Sequence, residues 1–185
     1  MDIVNIDGIE LFNSMYPNFF ESVKHLHEDA VYEEMLLPLG DKNFTYKDDL
    51  GEDISFVFYN GEADALREAV GKVDKDWVQF FDGGRVYCGC CGGKIASFCL
   101  VDDMGEHIVN GRKIMVGGPG CVGTVPEFRR KGIGLAMVAR VTEILADECF
   151  DVSYIHYTGV ADWYAKLGYK TFTKWGKNGF IGNNP

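Results

Sequence analysis

The sequence predicts an α/β fold with a mixed, mostly antiparallel sheet, and three observations carry that prediction. Two β-rich runs, RVYCGCC and KIASFCLVDD, are joined by Gly92-Gly93, a strong hairpin signal. A long apolar helix follows, over about Lys131 to Glu148. After it, DVSYIHY, VADWYAKLG and YKTFTKW read as strand, short helix and strand. Hairpin strands first and a strand–helix–strand unit later put helices against a sheet of mixed direction.

Taken in order, residues 9–37 read as helical, because Phe12, Met15, Phe19, Phe20, Val23, Leu26, Ala30 and Val31 recur at three- and four-residue steps. Pro17 divides this stretch into two helices. Asp41 to Asp53 is a polar, acidic connection, and ISFVFYNG is a strand closed by a turn at Asn60-Gly61. Glu62 to Val73 forms a helix with Leu66, Ala69, Val70 and Val73 on one side, and Asp76 to Phe81 adds a helical turn. A third strand region, Lys113 to Val125, is interrupted by Gly117, Gly118, Pro119 and Gly120, which mark a bend or bulge. In the helix after it, Ile133, Leu135, Met137, Val138, Val141, Ile144 and Leu145 cover most sides, so that helix is expected to be buried. Residues 176–185 read as a loose tail.

The 185 residues fit one domain, read as a helical N-terminal extension over 1–52 and a core over 53–175. With 46% hydrophobic residues the chain can bury a core, which argues against disorder. A formal net charge of −10 argues against general nucleic-acid binding, which needs clustered Lys and Arg. The acidity is compatible with a cationic substrate, although solubility alone more often accounts for it. No apolar run reaches the roughly 18 residues of a membrane span. The start, MDIVNIDGIE, carries acidic residues where a signal peptide carries positive ones, so a cytoplasmic protein is expected. The six cysteines sit mostly in apolar runs, as buried thiols do. Only Cys88, Cys90 and Cys91 cluster, without the second ligand pair a zinc site wants, so no metal is expected.

The segment GTVPEFRRKGIGLAMV is the most specific in the chain. A strand ending at Val125 turns through Pro126-Glu127-Phe128 into a helix opened by Arg129, Arg130, Lys131, Gly132, Ile133 and Gly134. Glycine costs a helix about 1 kcal/mol relative to Ala, so two in a first turn need a reason. Lacking Cβ, Gly132 and Gly134 let a ligand approach free backbone N–H groups at the positive end of the helix dipole, which suits a phosphate. Three basic side chains add local positive charge to an acidic chain. No G-K-[ST] follows, so this is not a P-loop, and the three spaced glycines of a dinucleotide fingerprint are missing.

Residues 120–135 resemble the acetyl-CoA-binding motif of the GNAT N-acetyltransferase superfamily, [Q/R]-x-x-G-x-[G/A] after a strand and a P-E-[YF]-R turn. Arg129, Gly132 and Gly134 fill the pattern, and DWYAKLGY, Asp162 to Tyr169, resembles the family's later [FW]-Y-x-K-L-G-[FY] segment. The resemblance covers about the last third of the chain. It implies a V-shaped split between the strand ending at Val125 and the strand over 152–157. Backbone groups of Val122, Thr124 and Val125 would pair with the pantetheine arm, and those of Arg130, Lys131, Gly132, Ile133, Gly134 and Leu135 would hold the pyrophosphate. Tyr164, at the family's tyrosine position, would protonate the departing thiolate; otherwise it is an aromatic packing residue. The family's Asn six residues earlier is replaced by Thr158, whose hydroxyl would stand in for it. The family's final strand has no counterpart in GFIGNNP, so the sheet ends early or is completed differently.

The activity implied is transfer of an acetyl group from acetyl-CoA to a primary amine of a small molecule or peptide, by a monomer or homodimer. A non-catalytic acyl-CoA-binding sensor or regulatory module is the alternative. No motif assigns a general base. Asp102, Asp103, Glu106 and His107 stand together after the second hairpin strand, in a region that could face the acceptor, though such residues are more often solvated loop residues. His156 reads either as chemistry or as a satisfied core histidine.

Overall fold

The computed structural model describes residues 6–40, 46 and 49–182. The acidic start at Met1–Asn5, most of the 41–48 stretch and the last three residues lie outside them. Eight strands form one sheet in the order β2-β3-β4-β5-β6-β1-β7-β8. They are β1 Tyr32–Pro38, β2 Ile54–Phe58, β3 Val86–Cys91, β4 Lys94–Val109, β5 Arg112–Thr124, β6 Val152–Thr158, β7 Lys170–Gly176 and β8 Gly179–Ile181. The helices are α1 Gly8–Met15, α2 Phe19–Ser22, α3 Ala63–Gly71, α4 Ile133–Asp147 and α5 Ala161–Ala165. The pairs β1–β6, β1–β7, β2–β3, β3–β4 and β7–β8 are antiparallel, and β5 and β6 run parallel, meeting at Val116↔Val152 and Gly117↔Ser153. The β5–β6 ladder stops after these two positions.

The chain divides into two compact units. One holds residues 43–102 and 118–144. Its core joins Leu66, Ala69 and Val70 of α3 to Val86, Cys88 and Phe98 of the hairpin strands, with Phe81 and Val125. The β3–β4 hairpin turns at Gly92-Gly93 as expected; both glycines have positive φ, 56° and 77°, which a two-residue turn of this hand requires.

The other unit holds residues up to 42, 103–117 and 145–185. Leu11, Val109, Ile114, Val116, Val152 and Tyr154 form its core. Asp7 caps α1, its Oδ1 accepting from the N–H groups of Ile9 and Glu10 at 3.0 and 2.9 Å. Asp151 fixes where β6 begins: its Oδ2 accepts from Met115 N–H at 2.8 Å, and its carbonyl from Leu39 N–H at 2.8 Å.

Three expectations are corrected. The helical reading of residues 9–37 holds only to Ser22, because Tyr32–Pro38 is a strand between β6 and β7. It completes the sheet from the N-terminal side of the chain. The second hairpin strand does not stop near Asp103 but runs to Val109, where the Asn110-Gly111 turn starts β5. The loose tail contains β8, paired with β7 at Lys174↔Ile181 and Trp175↔Phe180.

The cysteines are all free thiols. Burial pushes Cys88 up to about 12 and Cys121 to about 11, and raises Cys99 well above the ordinary thiol value. Thiolate is the reactive form. A thiol reagent at pH 8 is therefore expected to label exposed Cys149 first and Cys88, Cys99 and Cys121 only after denaturation. Peptide mapping of the labelled protein checks this, and fast labelling of Cys121 would contradict it.

Candidate active site

Within the first unit, the stretch from Gly118 to Gly134 holds most of the residues singled out in the sequence. The irregularity expected at the glycines of β5 falls one residue later, on Cys121, with φ 47°. A left-handed conformation costs a residue with a Cβ about 1–2 kcal/mol. Two nearby glycines answer to their neighbours: a Cβ at Gly120 would collide with Asp102 Oδ2, and one at Gly123 with the Phe98 ring. Val122 and Thr124 are half-buried on the same strand.

After β5 the chain turns through Pro126–Phe128 and reaches Arg130 with φ 64° and Gly132 with φ 79°. Left-handed residues alternating with others are the backbone pattern in which successive N–H groups can converge on an anion. The first bond of the helix is Ala136 N–H to the Gly132 carbonyl, at 3.0 Å. The N–H groups of Arg130, Lys131, Gly132, Ile133, Gly134 and Leu135 make no hydrogen bond to any described residue. Arg129 is spent differently: its Nε donates to the Thr124 carbonyl at 3.0 Å, holding the strand end to the turn. The Lys131 ammonium lies 5.4 Å from the Phe128 ring centroid. Both backbone groups of Val125 are used inside the protein, donating to the Ala96 carbonyl and accepting from Phe128 N–H, each at 2.9 Å. Val125 therefore has no ladder group to offer a ligand.

The second unit holds Thr158 and Tyr164. Thr158 ends β6, and its Oγ1 accepts from Val160 N–H at 3.1 Å, so the hydroxyl braces the turn into α5. Tyr164 is buried in α5, edge-on to Trp163 at 4.8 Å and to Tyr169 at 6.0 Å. His156 is a satisfied core histidine: Nδ1 lies 2.9 Å from Glu34 Oε2, and the ring stacks on Tyr16 at 4.1 Å.

Of the four expected base candidates, three have structural partners. His107 lies 2.8 Å from Ser14 Oγ through Nδ1 and 2.9 Å from the Met104 carbonyl through Nε2, tying α1 to β4. Glu106 pairs with Lys113 at 2.9 Å, and Asp103 Oδ1 accepts from Gly105 N–H at 2.9 Å. All four belong to β4 rather than to a loop.

Sequence reasoning missed Glu34. Fully buried in β1, it accepts from the Tyr154 hydroxyl at 2.8 Å, Tyr157 N–H at 3.1 Å and Trp175 Nε1–H at 2.6 Å, and it also holds His156. An acidic residue beside another in YEEMLLP carries no sign of burial.

A short parallel strand pair, with a glycine-opened helix following one of its strands, defines a class of α/β folds. Known structures place the chain within it. It is similar to the GCN5-related glucosamine N-acetyltransferase region of a fungal multi-domain GH3 β-N-acetylglucosaminidase, with TM-score 0.67 and 19% identity over 80% of this chain. It is also similar to GCN5-related N-acetyltransferases from Kribbella flavida (TM-score 0.53, 17% identity, 77% of this chain) and Sphaerobacter thermophilus (0.56, 18%, 78%). The chain spans 20%, 55% and 49% of those three chains, respectively. No protein-family model and no curated protein matches the sequence. The fold is that of the GCN5-related N-acetyltransferases, the GNAT superfamily.

Proposed function

We propose that this chain is an N-acyltransferase that moves an acetyl group from acetyl-CoA to a primary amine of a small molecule or peptide. The observation that carries the reading is the row of six unpartnered N–H groups from Arg130 to Leu135, in a turn with two left-handed residues. Arg130, Lys131 and Gly132 are exposed, but Ile133 and Gly134 are buried and Leu135 half-buried; backbone donors at such positions are nearly always paired, so a row left open at a helix N-terminus suits an anionic ligand such as a pyrophosphate. Backbone groups of Val122 and Thr124 then take the pantetheine arm along β5, whose ladder to β6 has ended by Gly117, with the Thr124 carbonyl shared with Arg129 Nε. Val125 closes the strand without pairing.

Transfer proceeds by direct attack. The amine lone pair forms the C–N bond at the thioester carbonyl, the tetrahedral oxyanion is held by a backbone N–H near Val122, and the C–S bond then breaks. A thiolate nucleophile on the protein is disfavoured, since Cys121, the cysteine on this segment, stays protonated at neutral pH. Tyr164 returns a proton to the CoA thiolate. Proton transfer of this kind is typically worth about 10²–10⁴ in rate. We place the protein in the cytoplasm.

The test is calorimetry with acetyl-CoA, followed by a thiol-release assay across primary amines. Glucosamine goes first, because a protein of similar fold is named for it. Tyr164→Phe is expected to lower kcat at least tenfold with KM for acetyl-CoA little changed. Normal turnover would remove the acid role. Acetyl-CoA binding without transfer to any amine would favour the sensor reading.

A further inference from the structure

We infer that Asp102 is the general base of the transfer, the group that takes the proton from the acceptor's ammonium. The assignment rests on the transferase reading above, and it comes from the placement of one carboxylate.

Asp102 lies on β4, the strand beside β5, with its Oδ2 so close to Gly120 that a Cβ there would collide with it. Gly120 is followed by Cys121, the left-handed residue, and then by Val122, where the pantetheine arm is proposed to pair. The carboxylate is thus laid across the part of β5 that would carry the thioester. Leu100 Cβ, 3.6 Å from the same point, forms an apolar wall beside it.

The second observation is that Asp102 has no partner. Its carboxylate makes no hydrogen bond or ion pair with any described residue, whereas Asp103, Glu106 and His107 on the same strand are all engaged. The titratable groups facing it are the thiols of Cys99 on its own strand and Cys121 on β5, and no described cation offsets its charge. A half-buried carboxylate without a donor is unfavourable for folding, and such exceptions cluster where chemistry uses them. Burial raises its pKa, which moves it toward the working range of a base at neutral pH.

The protons balance. Asp102 accepts one from R–NH3⁺, and the neutral amine attacks the carbonyl carbon. The nitrogen loses a second proton as the intermediate collapses, the C–S bond breaks, and the thiolate takes a proton to leave as CoA–SH. The sum is ammonium plus thioester giving amide, thiol and one proton released to solvent.

Asp102→Asn keeps the shape and removes the basicity. In the variant, kcat/KM for the amine at pH 7 is expected to fall 100-fold or more, with acetyl-CoA affinity by calorimetry within about twofold of wild type. The deficit is expected to shrink by about tenfold per pH unit as the pH approaches the amine's own pKa, because free amine then forms without the enzyme.

Stability supplies a readout independent of activity. A carboxyl whose folded pKa is raised destabilises the fold when ionised, at a pH above that pKa, and not below its unfolded value. The Tm of Asp102→Asn is therefore expected to equal or exceed wild type at pH 7, the advantage vanishing in acid. An active wild type whose Asp102→Asn variant keeps its rate, or loses it equally at every pH, or melts lower at pH 7, would overturn the base assignment alone. A wild type that binds acetyl-CoA yet acylates no amine would overturn the transferase reading and this assignment with it.

Discussion

Glu34→Ala is expected to lower the unfolding free energy by about 4 kcal/mol or more, while Glu34→Gln costs about 1 kcal/mol. The alanine leaves Tyr154 OH, Tyr157 N–H and Trp175 Nε1–H buried without an acceptor. Each orphaned donor costs about 1–3 kcal/mol, and the missing side chain leaves a cavity. Glutamine differs because of how the two carboxylate oxygens are used. Oε1 accepts from Tyr157 N–H and Trp175 Nε1–H, which can only donate, and a Gln carbonyl in its place keeps both. Oε2 faces Tyr154 OH and His156 Nδ1, and both of these groups can turn acceptor toward an amide NH2. Against a typical domain stability of about 5–15 kcal/mol, the alanine is close to unfolding and the glutamine is mild. Urea titration of the two variants separates them. Equal losses would mean that the network is not what holds β1 in the sheet.

The sheet is built around this residue. Two residues of β6, His156 and Tyr157, oppose Glu34 alone between Glu33↔Thr158 and Met35↔Ile155, and Tyr157 absorbs the surplus with φ 56°. On the other side β7 carries an extra residue between Glu34↔Thr173 and Met35↔Thr171. Both neighbours of β1 bulge at the same level, and Tyr157 N–H turns to meet the carboxylate.

The turn from β5 into α4 was legible because its requirement falls on the backbone, and the left-handed conformation at φ 79° is written as a glycine, Gly132. The hairpin at Gly92-Gly93 was legible for the same reason. By contrast β1 was hidden. Tyr32, Met35 and Leu36 repeat at three- and four-residue steps, and an interior strand covered on both faces shows no alternation. Its one polar buried residue finds its partners about 120–141 positions away, which no local pattern reports. The far half of β4 was hidden by its acids, although Asn110-Gly111 is a hairpin signal in its own right, with φ 51° and 69°. Asp102 could be named as one of four candidates from the sequence. Choosing among them needed the partners of the other three.

Gly134→Val is expected to weaken acetyl-CoA binding at least 100-fold, which is about 2.7 kcal/mol. Gly134 is the second residue of α4, buried, with its N–H unpartnered beside those of Ile133 and Leu135. A branched side chain there occupies the space a diphosphate needs to reach those amides. Gly132 is the poorer probe, since at φ 79° any Cβ strains the turn and lost binding would be confounded with lost structure. Gly134 has no positive φ, so a Cβ is compatible with its helical backbone. Gly134→Ala sharpens the test, because helix propensity favours Ala over Gly by about 1 kcal/mol. The alanine variant should therefore melt at or above wild type while binding acetyl-CoA more weakly, with valine weaker still. Stability and affinity moving in opposite directions would place the anion on the helix N-terminus. Unchanged affinity in the valine variant, measured by calorimetry on folded protein, would remove the phosphate site from this turn and the transferase reading with it.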